Sequence, residues 1–247
     1  MSGSSSNLAL DIRELLQQGN VTQAIRLTEA ALAEPGNETN GRVVQLHGLT
    51  LFVHGDYEAA LSALESALLL SPLTAESLTV LANLYVKFGK TEDARVSLNI
   101  LVEDIHNIPS ELLPQIADLL GRVGEPRKAL SVCYRLIDND PDCDAAIFSA
   151  AHYMHRVGCA PRQVIAMMRR AFSLDPKNCT YRRALASALA VHGDIQSAYS
   201  LFASISIDEI CCCNCLRIMN NIFEKFGDWE RLQESQRRLL EIESSAS

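Results

Sequence analysis

Four of the chain's eight cysteines crowd into Cys211, Cys212, Cys213 and Cys215. Thiols this dense raise two chemistries, metal ligation by thiolates and reversible oxidation. The run lacks the paired C-x2-C spacing of structural zinc sites. On a continuous helix Cys211 and Cys215 share a face while Cys212 and Cys213 diverge from it, so Cys211 and Cys215 are the candidate pair. Against both chemistries stands the frequency of free cysteine as a small core residue, and no sequence neighbour clearly lowers a thiol pKa. His152 and His155, three apart with Cys159 in the following turn, are a second grouping of metal-ligand types. No glycine-rich phosphate loop, GxSxG elbow or HExxH helix occurs, and nothing places a cysteine and a histidine together as a catalytic couple. The expectation is a protein that is not an enzyme, with no cofactor and no resident metal.

The elements that position these residues follow from a glycine ladder. Glycines stand at Gly19, Gly55, Gly89, Gly124, Gly158, Gly193 and Gly227, at intervals of 36, 34, 35, 34, 35 and 34 residues. Each separates two amphipathic segments of helical period, about a dozen residues long. Glycine adopts left-handed dihedrals cheaply, so it suits a sharp turn between antiparallel helices. Seven residues before the turn stand Gly48, Ala82, Ala117, Ala151 and Ala186, and five after it Ala24, Ala60, Ala94, Ala129 and Ala198. Small side chains at both offsets let the paired helices approach closely. Twelve residues after the turn stand Ala31, Ala67, Leu101, Leu136, Ile205 and Leu239, all apolar. Repeat 1 departs at Ile12 and repeat 7 at Asn220 and Leu232. Repeat 5 carries one extra residue in its turn, Gly158 to Arg162, which shifts its second helix.

The stretch from Gly55 to Pro72 has the pattern of a second helix, and Leu78, Leu81, Ala82 and Tyr85 that of a first helix. On these residues the sequence resembles the tetratricopeptide repeat family over residues 5 to 243. The resemblance implies an all-α solenoid of seven helix-turn-helix repeats, wound as a right-handed superhelix. The expected repeats are 5–40, 41–74, 75–109, 110–143, 144–178, 179–212 and 213–243, between a flexible N-terminal tail at 1–4 and a C-terminal tail at 244–247. It also implies that the first helices line a groove holding a peptide or protein segment. Residues expected on that face are Asn83, Lys87, Arg122, His152, His155, Arg156, Arg183, Arg217 and Asn221. Leu46, Leu49 and Phe52 offer an apolar anchor site at the N-terminal end, or else pack against repeat 1. The carboxylate clamp of some family members is not expected, because Gln45 and Glu111 stand where basic residues are wanted.

The formal net charge is −8, which argues against nucleic acid as a partner, since phosphate binding needs a basic face. A net-positive stripe on the first helices would steer an acidic partner segment. The same residues also read as a solvated face of mixed sign. No stretch of eighteen apolar residues occurs, so no membrane insertion is expected. The start from Met1 to Asn7 lacks the basic and apolar parts of a secretory signal. A cytoplasmic protein with free thiols is therefore expected. Its expected function is a scaffold or adaptor, chaperone-like in holding a partner. The alternatives are self-assembly into a homo-oligomer and a thiol- or metal-responsive module at the cysteine run.

Overall fold

The computed structural model describes residues 3–37 and 39–245. Among them are fourteen α-helices and no strands. In the first half these are α1 (Gly3–Gln17), α2 (Val21–Leu32), α3 (Gly41–His54), α4 (Tyr57–Leu70), α5 (Ala75–Lys87), α6 (Thr91–Glu103), α7 (Leu113–Arg122) and α8 (Pro126–Asn139). Then come α9 (Asp144–Arg156), α10 (Pro161–Leu174), α11 (Cys179–Val191), α12 (Ile195–Phe202), α13 (Cys213–Phe226) and α14 (Trp229–Ser245). The expected tails lie partly outside the described residues. Their described parts, at positions 3–4 and 244–245, are the ends of α1 and α14.

All seven ladder glycines have positive φ, from 67° to 95°. In each turn the residue after the glycine donates its amide to the carbonyl five residues back. Asp56 reaches Leu51 at 3.1 Å, Asp194 reaches Leu189 at 2.9 Å and Asp228 reaches Phe223 at 2.9 Å. This six-to-one bond is the Schellman closure, which satisfies a carbonyl that the helix end leaves orphaned. Where aspartate follows glycine it also starts the next helix. The Asp56 carboxylate accepts from the Ala59 amide and that of Asp194 from the Ser197 amide. One dipeptide thus stops the first helix and caps the second.

The chain divides into two compact units, Met1–Val132 and Cys133–Ser247. In unit 1 the pairs α1–α2, α3–α4 and α5–α6 pack internally, and the first helices α1, α3, α5 and α7 form a row, each against the next. Ala24, Ala60, Ala94 and Ala129 are fully buried at the positions expected of the small second-helix partner. In unit 2, α9 pairs with α10, α11 with α12 and α13 with α14, and α11 packs on α13. The extra residue of repeat 5 has its effect here, because α10 begins one position late and Val164, not residue 163, occupies the inward place. Around Phe202, Leu216, Met219 and Phe223 a continuous core joins α11 to α14.

The departures in repeats 1 and 7 each have a physical resolution. Ile12, where a small residue is expected, is buried at the end of the row. At the corresponding place in repeat 7, Asn220 accepts a hydrogen bond from the hydroxyl of fully buried Ser235 on α14. A polar pair replaces the small–small contact there. The last helix also bonds back to the preceding connection: Arg231 donates to the Ala203 carbonyl and Arg238 to that of Ile210, both at 3.2 Å. Arg95 does the same in unit 1, donating to the Val123 carbonyl at 2.9 Å. These second-helix arginines satisfy carbonyls in the neighbouring connection.

Thr28 of α2 is fully buried, and its hydroxyl donates to the Ile25 carbonyl at 2.8 Å. Its single proton is thereby used, so His47 Nδ1–H of α3 donates to Thr28 Oγ1 at 2.9 Å. Burial holds the His47 pKa below its ordinary 6.5, against the opposing charge of Glu29. The unfolded chain therefore takes up this proton first as pH falls. The His47 contribution to stability is full above pH 6.5 and is lost as pH drops below it. Urea midpoints at pH 7.5 and 5.5 should fall further for the wild type than for His47→Gln; equal falls would contradict this account.

Candidate partner-binding surface

In unit 1 the row of first helices presents the candidate residues from α3, α5 and α7. Leu46 and Leu49 on α3 are half-buried. The half-buried Phe52 ring meets Tyr57 edge-on, with centroids 5.7 Å apart. Over the Tyr57 ring lies the Lys87 ammonium of α5, 4.0 Å from its centroid. A cation in this position gains about 0.5–1 kcal/mol and keeps its charge in water. Asn83 is half-buried one turn before Lys87. Arg122 ends α7, paired loosely with Asp118 at 3.9 Å, both side chains at least half exposed. Such a surface pair contributes little and leaves the guanidinium available.

Gln45 sits in the same helix row but faces inward. It is buried, accepts the Thr74 amide at 3.0 Å and donates to the Pro72 carbonyl at 3.2 Å. It holds the α4–α5 connection and is not part of the open face.

In unit 2, His152, His155 and Arg156 are exposed on α9. The His152 ring stands edge-on to Tyr153 at 5.3 Å, and the Arg156 guanidinium lies 5.9 Å from the same ring. Partial desolvation of the ring first, then the charges of Arg156 and His155, hold the His152 pKa below its ordinary 6.5. Arg183 of α11 is half-buried, and its charge acts on the sulfurs of Cys212 and Cys215. Arg217 of α13 pairs with Glu243 of α14 at 2.7 Å. That contact offsets its charge, and the 26-residue separation hides it from a reading of local sequence. Asn221 lines a shallow cleft with Val191, Ile195, Ile218 and Lys225.

The cysteine pairing expected from the sequence is different in the structure. Helix α13 begins at Cys213 with Cys212 as its N-cap, so Cys211 lies outside the helix and shares no face with Cys215. The thiols placed to interact across the first turn are those of Cys212 and Cys215. Nor is the run electrostatically neutral. Burial raises the Cys212 pKa, but the Cys215 thiol, the amides of Cys215 and Asn214, and Arg183 together bring it below the ordinary value. Among the described residues no group of three or more His, Cys, Asp or Glu side chains is placed to hold a metal ion. No described helix is long and apolar enough to cross a membrane.

Sequence reading missed the tyrosine platforms under Lys87 and Arg156, and Ser187, which donates to Cys215 Sγ at 3.9 Å. The position after the Gly-Asp turns carries Tyr57, Ile195 and Trp229, so no recurrence marked Tyr57, whereas the Cys212-x-x-Cys215 interval was a signal for the thiols.

Residues 17–99 match the family model for subunit 3 of the anaphase-promoting complex, or cyclosome. No curated protein matches the sequence as a whole or in part. Among solved structures, a tetratricopeptide repeat protein of Parabacteroides merdae superposes with a TM-score of 0.61 at 18% identity, over 97% of this chain and 93% of its own. The C-terminal part of a repeat-containing protein of Cytophaga hutchinsonii gives 0.65 at 11% identity, over 95% of each chain. YrrB, described as a TPR protein with an unusual peptide-binding site, gives 0.58 at 18% identity, over 72% of this chain and 89% of its own. These likenesses concern the fold. The ladder of left-handed glycines and the repeated close pairing of helices, with these structural likenesses, give this chain a tetratricopeptide-type repeat fold.

Proposed function

We propose that this chain is a protein-interaction scaffold of the cytoplasm, chaperone-like in holding segments of a partner protein against its first helices. The acidic character of the partner segment is set by Arg122, Arg156 and Arg183. The observation that carries the reading is the row α1, α3, α5 and α7, with Lys87 carried on a tyrosine ring and Arg122 in a loose surface pair. A row of like helices offers an extended face, and cations displayed on it attract carboxylates while remaining solvated. A similar tyrosine-supported arginine on α9 supports the same reading of unit 2. YrrB, of similar fold, has a peptide-binding site. Eight free thiols suit a reducing compartment.

The test is an affinity pull-down from native extract, comparing wild type with Arg122→Glu, Arg156→Glu, Arg183→Glu combined. All three positions are exposed or half-exposed, so the variant should retain its helical circular dichroism. Recovery of the specific partners should fall by about tenfold or more, since juxtaposed like charges cost more than 1 kcal/mol. Added salt should weaken the wild-type capture in the same direction. Equal recovery by both forms would transfer the function to another surface.

A further inference from the structure

After the short 3-10 turn Ile207–Glu209, Ile210 is buried in the unit 2 core and anchors the start of the cysteine run. The chain then passes exposed Cys211 and enters α13, a helix of fourteen residues, with Cys212 as its N-cap in extended conformation. Cys212 and Cys215 flank the first turn of that helix. Residues three apart across a helical turn bring their Cβ atoms about 5–6 Å apart. The bridge itself needs about 3.5–4.5 Å, a difference that the non-helical N-cap position can close by a small rotation. Across this turn the two thiols are placed to share a hydrogen bond. On the other side, Ser187 Oγ of α11 donates to Cys215 Sγ at 3.9 Å. Arg183, one turn earlier on α11, places its positive charge on both sulfurs.

We propose that Cys212 and Cys215 are a dithiol that exchanges with the disulfides of small thiols, Cys212 attacking and Cys215 resolving.

The two sulfurs are differentiated as these roles require. The helix N-terminus, the Asn214 and Cys215 amides and Arg183 favour the Cys212 thiolate. Burial and the neighbouring Cys212 push the Cys215 thiol up to about 11, so it stays protonated until it acts. In the first step the Cys212 thiolate attacks one sulfur of a small disulfide RSSR. A Cys212–S–S–R bond forms, the RS–SR bond breaks and RS⁻ leaves. In the second step Cys215 loses its proton to solvent and attacks the Cys212 sulfur. The Cys212–Cys215 bond forms, and a second RS⁻ leaves. Two protein thiols are oxidised by two electrons, and one RSSR is reduced to two RSH after proton uptake. Of the flanking thiols, Cys211 precedes the helix and Cys213 is its first residue, so neither spans the first turn with Cys215 as Cys212 does. This inference is independent of which partner the first helices hold.

The full-length reduced protein is incubated with glutathione and glutathione disulfide in graded ratios. Free thiols are then alkylated and the peptide carrying residues 184–217 is sequenced by mass spectrometry. The expected product lacks two hydrogen atoms, with the bridge at Cys212 and Cys215. Cys211→Ser/Cys213→Ser retains it, and Cys212→Ser abolishes it. Cys215→Ser, with no resolving thiol, accumulates a glutathione adduct on Cys212. At neutral pH, iodoacetamide should label Cys212 about tenfold faster than exposed Cys179. Circular dichroism of each variant separates loss of exchange from loss of fold. A bridge through Cys211 or Cys213, no bridge at any ratio, or a Cys212 labelling rate equal to that of Cys179 would overturn the proposal.

Discussion

Gly48→Leu is expected to destabilise the α3–α4 pair by about 3 kcal/mol, and a second change, Leu64→Ala, to restore part of the loss. A Cβ at position 48 would lie 2.8 Å from Leu64 Cγ and 2.9 Å from Cδ2, closer than packed carbons approach. Leu64 is fully buried on α4 and cannot swing into solvent. Overpacking of this kind costs about 1–3 kcal/mol, and leucine adds three carbons beyond the Cβ. The better helix propensity of leucine returns only about 0.8 kcal/mol. Leu64→Ala alone should cost about 2–5 kcal/mol through its cavity. In the double variant the new side chain fills that cavity, so the two losses should fall short of additivity by more than about 1 kcal/mol. Urea titration by circular dichroism measures the sum, and hydrogen exchange of α3 and α4 amides localises it. Strict additivity would mean that the two side chains do not share this space.

The same contact explains why so much of the fold was legible. A left-handed turn and a close helix crossing are each met at one position by one or two residue types. Repetition therefore writes them as a ladder of glycines flanked by small residues. Even the irregular turn of repeat 5 could be read, because one added residue displaces a whole helix register and moves the buried place to Val164. Contacts between neighbouring repeats were less legible. Gln45 looks like any polar residue on a first helix until Pro72 and Thr74 are brought to its amide. Arg231 and Arg238 read as surface charges, yet both reach carbonyls 28 residues away. No short-range pattern carries that information.

The candidate surface shows the same division. Which residues lie on first helices follows from the ladder, but which cations remain available depends on partners supplied by other helices. Arg217 and Arg122 look equivalent in sequence; Glu243 meets the first at 2.7 Å, while Asp118 stands 3.9 Å from the second. At the cysteine run the error came from where the helix starts. Continuing α13 back through Cys211 changes which thiols share a face. The observed start at Cys213 instead selects the Cys212–Cys215 interval.

Phe223→Ala should be the most damaging single substitution in unit 2, lowering its stability by about 3–5 kcal/mol. The ring is fully buried in the core that joins α11, α12, α13 and α14. It meets Tyr199 of α12 edge-on at 6.2 Å, and Tyr199 in turn stacks on Phe226 at 4.3 Å. An aromatic pair of this geometry adds about 0.5–1.5 kcal/mol beyond area burial. The Tyr199 hydroxyl donates to Asp228 at 3.1 Å, and Arg231 links Asp228 to the Ala203 carbonyl. Removing Phe223 therefore withdraws the support beneath a chain of contacts from α12 through the Gly227 turn to α14. Since repeat arrays need not unfold in one step, amide exchange of α13 is the better measurement. A loss of 3 kcal/mol should speed exchange of its most protected amides by about a hundredfold. Phe223→Leu keeps most of the apolar volume and should cost much less, about 1 kcal/mol. If alanine proved as mild as leucine, the core of unit 2 would have to collapse around the missing ring. The Tyr199–Asp228–Arg231 chain would then be holding α12, α13 and α14 together without it.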